Sequence, residues 1–100
     1  MTITEFLEAR VAEDEKNAGT YVEVLPEGDM APLFRRVLAE CAAKRAIIGL
    51  HGADPANDKP VCLSCGDWWD GSPEPFPCPT LKALAAVYSS HEDYDSGWAL

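Results

Sequence analysis

The fold is decided by Cys62-Leu-Ser-Cys65-Gly66 and by Cys78-Pro79, which follows after a loop of twelve residues. Two thiolates three positions apart can hold one ion from a tight turn, and a glycine after the second permits positive φ there. Cys78 precedes a proline at a predicted helix start, where the helix dipole stabilises a thiolate. The motif, the third cysteine and the helix start together predict one zinc ion bound by Cys62, Cys65 and Cys78.

Three residues compete for the fourth position on the zinc. Cys41 lies about 15 Å before His51 on one predicted helix, and its place in an apolar stripe makes it a core residue. His91 lies about 20 Å from Cys78 if the third helix is continuous. His51 stands where the second helix ends and the loop toward the cysteine pair begins. The favoured ligand is therefore His51, with a simple cap on the helix end as the open alternative.

Two alternatives to zinc remain, namely inert buried thiols and a redox cysteine pair. A redox pair normally begins a helix that follows a strand, whereas residues 66–73 have the composition of a loop. Three cysteines and one histidine would close a tetrahedron around a structural ion and leave no position for a substrate. Because the sequence also lacks the motifs of common hydrolases and nucleotide-binding enzymes, we expect no catalytic activity.

Length and charge limit the remaining possibilities. One hundred residues make a single domain, here residues 1–100, with a net charge of −9. Residues 51–100 carry two lysines against eight acidic residues, and phosphate binding needs clustered cations, so nucleic acid is disfavoured as a partner. The chain has no apolar run of roughly 18 residues and no signal-peptide pattern. We therefore expect a cytoplasmic protein with reduced thiols and no membrane contact.

Apolar periodicity predicts a mainly α fold of three helices, with the zinc knuckle (Cys62–Gly66) joining the third helix to the second. The first helix begins with a capping box formed by Thr2 and Glu5, with Thr4 as an alternative cap, and ends at residues 17–19. Residues 20–25 are rich in β-branched and aromatic side chains. This run predicts one short strand or extended arm.

The second helix is predicted from about residue 30 to residue 50, with Asp29 as its N-cap. The third begins at about Pro79 and stops near residue 89, and the tail, residues 91–100, folds back on the helices. The predicted core consists of side chains that share one face of each helix: Phe6, Leu7, Val11, Phe34, Val37, Leu38, Cys41, Ile48, Leu81, Leu84 and Tyr88.

The loop inside the predicted metal site is rich in aromatic residues. Trp68, Trp69 and Phe76 fall within ten residues. They form either a contact surface for a partner, since aromatic side chains dominate binding hot spots, or a cover over the zinc and a thin core. For at least one of the tryptophans the cover is the favoured interpretation.

Residues 78–85 read Cys-Pro-Thr-Leu-Lys-Ala-Leu-Ala. This stretch is the most specific of several that resemble a family of small, uncharacterised proteins from actinobacteria and their phages, whose members carry a CPTLRALA segment. The remaining resemblances cover most of the chain: residues 6–15 to its opening helix, 43–51 to the end of its central helix, Cys62 and Cys65 to its cysteine pair, and 88–98 to its closing aromatic pattern. The family's ligand-like positions fall here on His51, Cys62, Cys65 and Cys78. No activity is assigned to the family, so it implies no catalytic residues.

One segment departs from this family. Its members usually carry a longer stretch with Gly-Pro-Trp after the first helix, where this chain has residues 19–22. The resemblance and the composition together favour a protein-interaction module, a phage or prophage accessory factor acting on a host protein. The alternative is a regulatory zinc protein associated with nucleic acid.

Overall fold

The computed structural model describes residues 1–54, 60–66 and 71–100. The described residues form three α-helices, two short antiparallel strands and a final 3₁₀ turn. In chain order these are α1 (Ile3–Val24), α2 (Ala31–Leu50), β1 (Val61–Gly66), β2 (Pro73–Pro75), α3 (Pro79–Ala86) and the turn Ser96–Trp98. The predicted mainly α fold of three helices is confirmed, and its small β part is the pair β1–β2 rather than residues 20–25.

The beginning of α1 follows the prediction, whereas its end does not. The Glu5 backbone N–H donates to Thr2 Oγ1 at 3.1 Å, and the Thr2 N–H donates to Glu5 Oε1 at 3.0 Å, which completes the capping box. The predicted end at residues 17–19 and the predicted strand over 20–25 are wrong, because the helix continues to Val24. Packing against α2 overrides the local β preference of these residues.

The predicted extent of α2 is confirmed, but its cap is not Asp29. The turn between the helices closes through a hydrogen bond from the Gly28 N–H to the Leu25 carbonyl at 3.1 Å. The chain then enters the helix through Met30, which occupies the N-cap position without a side-chain cap. The tight turn thus moves the cap one residue along the chain. Pro32 in the first turn costs no hydrogen bond there.

The core lies at one end of the molecule, where the first half of α1 meets the second half of α2, α3 and the tail. Phe6 is fully buried at its centre, and the Trp98 ring lies 5.0 Å from it, so the tail folds back as predicted. Two predicted core residues, Phe34 and Leu38, are half-buried and lie outside this cluster. The cluster contains Ile3, Phe6, Leu7, Val11, Cys41, Ile48, Cys62, Cys78, Leu81, Ala85 and Trp98.

Beyond this core, α1 and α2 continue as an antiparallel pair that we call the hairpin arm (residues 18–34). Its interior holds the buried Ala18 and Ala31, and the rings of Tyr21 and Phe34 stack at 4.4 Å. These contacts are the physical reason that residues 20–24 are helical. No helix within the described residues is long and apolar enough to cross a membrane.

Candidate metal centre

His51 is placed by the end of α2 and by the chain reversal that follows it. His51 is the C-cap residue, and its backbone N–H still donates to the Ile47 carbonyl at 3.1 Å. The chain then turns back beside β1, where the Leu63 N–H donates to the Gly52 carbonyl at 2.9 Å. This pairing brings the histidine at the helix end against the cysteine pair.

The knuckle is held by hydrogen bonds from its own backbone and from one side chain. The N–H groups of Ser64 and Cys65 donate to the Cys62 sulfur. The Ser64 hydroxyl donates to the Leu50 carbonyl, at the end of α2. Such outer contacts orient ligands before a metal binds, so the helix end and the knuckle form one unit.

Cys78 reaches the site through the pairing of β2 with β1. The two strands are antiparallel, with Val61 opposite Pro75. The Phe76 N–H donates to the Pro60 carbonyl at 3.0 Å, and Cys78 follows two residues later as the N-cap of α3. Its side chain is fully buried. The third sulfur therefore lies at the N-terminus of α3.

The four side chains converge on one point. His51 Nδ1 lies 3.4 Å from Cys62 Sγ, 3.4 Å from Cys65 Sγ and 3.6 Å from Cys78 Sγ. All four donor atoms lie within 4.8 Å of one another. A tetrahedral ion with metal–sulfur bonds of ~2.3 Å and a metal–nitrogen bond of ~2.0–2.1 Å needs nitrogen–sulfur separations of about 3.5 Å. The four residues could thus hold one tetrahedral metal ion.

The pKa values of Cys62 and Cys65 shift in opposite directions. Burial would raise the pKa of Cys62, but hydrogen bonds from the Ser64 and Cys65 N–H groups and from His51 lower it to about 7. Burial and the neighbouring thiols of Cys62 and Cys78 raise the pKa of Cys65 to about 12. Three thiolates this close together repel each other. A bound cation would remove this repulsion and make the triply ionised site favourable.

The two rejected ligand candidates lie elsewhere in the fold. Cys41 is 1% exposed within the core cluster, and burial raises the pKa of its thiol. The His91 ring packs edge-on against Phe6 at 5.8 Å, and its Nδ1 accepts the Asp93 N–H at 3.0 Å. All four cysteines of the chain are free thiols. The structure therefore brings together the four predicted ligands and neither competitor.

The aromatic loop is only partly described. Trp68 and Trp69 lie outside the described residues, so the predicted contact surface there stays a prediction. Phe76 is half-buried and packs against the core cluster. For Phe76 this packing supports the alternative, a side chain that covers the core.

A polar network that the sequence did not reveal links α1 and α2 to the turn that follows α3. The Tyr88 hydroxyl donates to Asp14 Oδ2 at 2.7 Å and accepts from Lys44 Nζ at 3.0 Å. The sequence pattern placed Tyr88 among the core residues by its ring alone. The partners of its hydroxyl are 74 and 44 residues away, so no local spacing could have indicated them.

The fold and the site define a small, mainly α-helical domain closed around a Cys₃His cluster. Residues 22–100 match DUF6221, a family of unknown function, and the chain belongs to that family. The matched range includes all four clustered residues, whereas the resemblance seen over residues 6–15 lies outside it. Comparison with curated proteins gave no match, and comparison with solved structures gave none either.

Proposed function

We propose that the Cys₃His cluster binds one structural zinc ion. The observation that carries this proposal is the equal approach of His51 Nδ1 to three sulfur atoms, at 3.4–3.6 Å. Thiolate and imidazole donors in a tetrahedron are the preferred environment of zinc. Since four protein donors complete that tetrahedron, no position is left for water or a substrate. The zinc has a structural role in this proposal, and the domain has no catalytic one.

The zinc-bound domain acts, in this proposal, as a protein-interaction module. The support comes from three features: a closed metal site, a net charge of −9, and a hairpin arm that extends beyond the core. The resemblance to proteins of actinobacteria and their phages supports the finer proposal of a phage or prophage accessory factor. Its target would be a host protein. It would act in the host cytoplasm, where the four free thiols stay reduced.

The test uses the zinc-loaded chain as bait in a host lysate, followed by titration calorimetry with each purified candidate. The matched control is the Cys62→Ser/Cys78→Ser variant, which removes two of the four donors. We expect a host protein that binds the zinc-loaded chain with 1:1 stoichiometry and fails to bind the variant. The module proposal is contradicted if no purified candidate binds, or if candidates bind the variant equally well.

The second candidate, a regulatory zinc protein associated with nucleic acid, rests on the use of zinc knuckles in RNA recognition. Charge opposes it, because residues 51–100 hold two lysines against eight acids. Retention of duplex DNA or single-stranded RNA by the zinc-loaded chain at ~150 mM salt would favour this candidate over the interaction module.

A further inference from the structure

Within the described parts of the chain, the hairpin arm has no third layer of protein over it. The last residue that α1 contributes to the core cluster is Val11, and the first that α2 contributes is Cys41. No residue from 12 to 40 is a buried member of that cluster. The side chains buried inside the arm are Ala18 and Ala31, and the Tyr21–Phe34 ring pair lies beside them. The molecule is correspondingly elongated, with extents of 53 × 28 × 21 Å. The outer surfaces of the arm are therefore open to a partner.

The tip of this arm exposes four large apolar side chains. Val24 is 69% exposed, Leu25 49%, Met30 45% and Leu33 40%. All four fall within ten residues around the turn that joins α1 to α2. The other large apolar side chains that the described residues expose are scattered over the chain: Met1, Leu50, Leu63, Val87 and Leu100. Among the described residues, the tip holds the largest group of exposed apolar side chains close together in sequence, and interaction surfaces concentrate such side chains.

The same segment is poorly suited to the structure that it adopts. The last turn of α1 carries Val22 and Val24, which are weak helix formers, and Glu23, which opposes the helix dipole. An exposed valine at a helix end adds nothing to the packing of this fold. Local choices that do not serve the fold are expected at functional sites.

The charge around the tip specifies the chemistry of its partner. Residues 22–33 contain Glu23, Glu27 and Asp29 and no lysine or arginine. All three side chains are exposed, and none of the ion pairs within the described residues includes them. The guanidinium of the nearby Arg35 donates to the Pro26 carbonyl at 2.6 Å and keeps its positive charge, so three carboxylates face one cation at the tip. The tip is thus apolar with an acidic border.

We propose that the tip (residues 22–33) docks a protein segment whose apolar side chains are flanked by lysine or arginine. This inference rests on the proposed interaction module and names its surface and the chemistry of its partner. Charge complementarity favours this occupant over a second copy of the chain, since two copies would place three carboxylates against three others. It disfavours nucleic acid for the same reason.

The probe is a fluorescein-labelled amphipathic helical peptide with a leucine face and flanking lysines, added to the full zinc-loaded chain at ~150 mM salt. Two comparison peptides replace its leucines by alanine or its lysines by glutamate. We expect binding of the leucine–lysine peptide and at least tenfold weaker binding of both comparison peptides. If the alanine–lysine peptide binds as tightly as the leucine–lysine peptide, binding is due to general charge attraction alone, and the proposal is overturned.

Two matched pairs of variants locate the binding surface. Val24→Gln/Leu33→Gln places good helix formers at exposed helical positions and should weaken binding at least tenfold. The control Val87→Gln/Leu100→Gln removes two exposed apolar side chains elsewhere and should change binding less than twofold. If both variants bind the peptide as tightly as the original chain does, the tip is not the site.

In the second pair, each variant removes two negative charges, one variant at the tip and the other elsewhere on the domain. Glu23→Gln/Glu27→Gln should weaken binding at least fivefold, whereas the control Glu8→Gln/Glu92→Gln should change it less than twofold. Circular dichroism of each variant establishes that the fold is retained. Equal losses in both variants would mean that net charge alone attracts the peptide, which overturns the proposal.

Amide chemical shifts and sedimentation separate the remaining outcomes. Shift changes confined to residues 20–36 support the tip. Shift changes elsewhere on the domain overturn the tip and leave the interaction module standing, because the module is tested separately with purified host proteins. A dimer that forms with increasing concentration and is lost in Val24→Gln/Leu33→Gln would make a second copy the occupant, and would overturn the proposed partner chemistry.

Discussion

His51 Nδ1 lies 3.4 Å from the Sγ atom of Cys65, although fourteen residues separate the two along the chain. This contact joins the end of α2 to the knuckle, and through Cys78 to the start of α3. Backbone hydrogen bonds also join these elements, from the Leu63 N–H to the Gly52 carbonyl and from the Phe76 N–H to the Pro60 carbonyl. The Cys₃His cluster therefore adds a connection between parts of the chain that a small core would hold only weakly.

Alanine substitutions of the two histidines should differ in their effect on zinc retention. His51→Ala removes a donor that faces three sulfur atoms, so we expect at least about tenfold weaker zinc retention and a lower melting temperature. His91→Ala removes a ring that packs on Phe6 and should leave the zinc in place. Zinc content after dialysis against a competing chelator measures both. Zinc loss in His91→Ala with retention in His51→Ala would contradict the ligand assignment.

Removal of the metal should loosen the C-terminal half of the molecule first. Structural zinc contributes on the order of 10 kcal/mol to folding, which is comparable to the whole stability of about 5–15 kcal/mol of a small domain. A strong chelator should therefore unfold α3 and displace Trp98 from Phe6, leaving a loose α1–α2 pair. Circular dichroism and tryptophan fluorescence report both events. Unchanged signals and an unchanged melting temperature after complete zinc removal would make the ion peripheral to the fold.

The cysteine motif could be interpreted from sequence because its chemistry is local. Two cysteines three positions apart, and a third before a proline, need only short-range geometry to indicate a metal ligand set. The end of α1 could not be predicted in this way. Residues 20–24 have strand-like composition, and the Tyr21–Phe34 contact that makes them helical forms only after the chain reverses direction. The pairing of β2 with β1 could not be predicted from the sequence either. The strand β2 is a three-residue segment with two prolines, which do not indicate a strand.

The capping box at the start of α1 should have a measurable pH signature. The hydrogen bond from the Thr2 backbone N–H lowers the pKa of Glu5, with a smaller effect from the Thr2 hydroxyl. A lowered pKa in the folded state stabilises the fold above the ordinary value of 4.5, and this stabilisation is lost as the pH falls through the lowered pKa. Proline at position 2 removes the N–H donor, so Thr2→Pro should raise the pKa of Glu5 in an NMR titration.

The control for the capping box is Thr4, the alternative cap that the sequence suggested. Thr4→Ala should leave the pKa of Glu5 unchanged, whereas Thr2→Ala should cost about 0.5–2 kcal/mol of stability through loss of the side-chain cap. If Thr4→Ala lowers the free energy of unfolding as much as Thr2→Ala does, Thr2 is not the specific cap and the helix begins later than Ile3.

The Tyr88 hydroxyl should stabilise the attachment of the turn after α3 to α1 and α2. Tyr88→Phe removes the hydrogen bonds with Asp14 and Lys44 and should lower the free energy of unfolding by about 1–3 kcal/mol. Tyr94→Phe is the matched control. Its ring also packs edge-on against Phe6, but the described hydrogen bonds do not include its hydroxyl. Chemical denaturation of both variants measures the difference, and a Tyr94→Phe loss equal to that of Tyr88→Phe would contradict the network.

X-ray absorption at the zinc edge, on protein purified without added metal, tests the central claim most directly. The predicted result is one zinc per chain with three sulfur neighbours at ~2.3 Å and one nitrogen neighbour at ~2.0–2.1 Å. Those neighbours correspond to Cys62, Cys65, Cys78 and His51. Protein that carries less than about half an equivalent of zinc, or zinc surrounded only by oxygen and nitrogen, would contradict a structural Cys₃His centre.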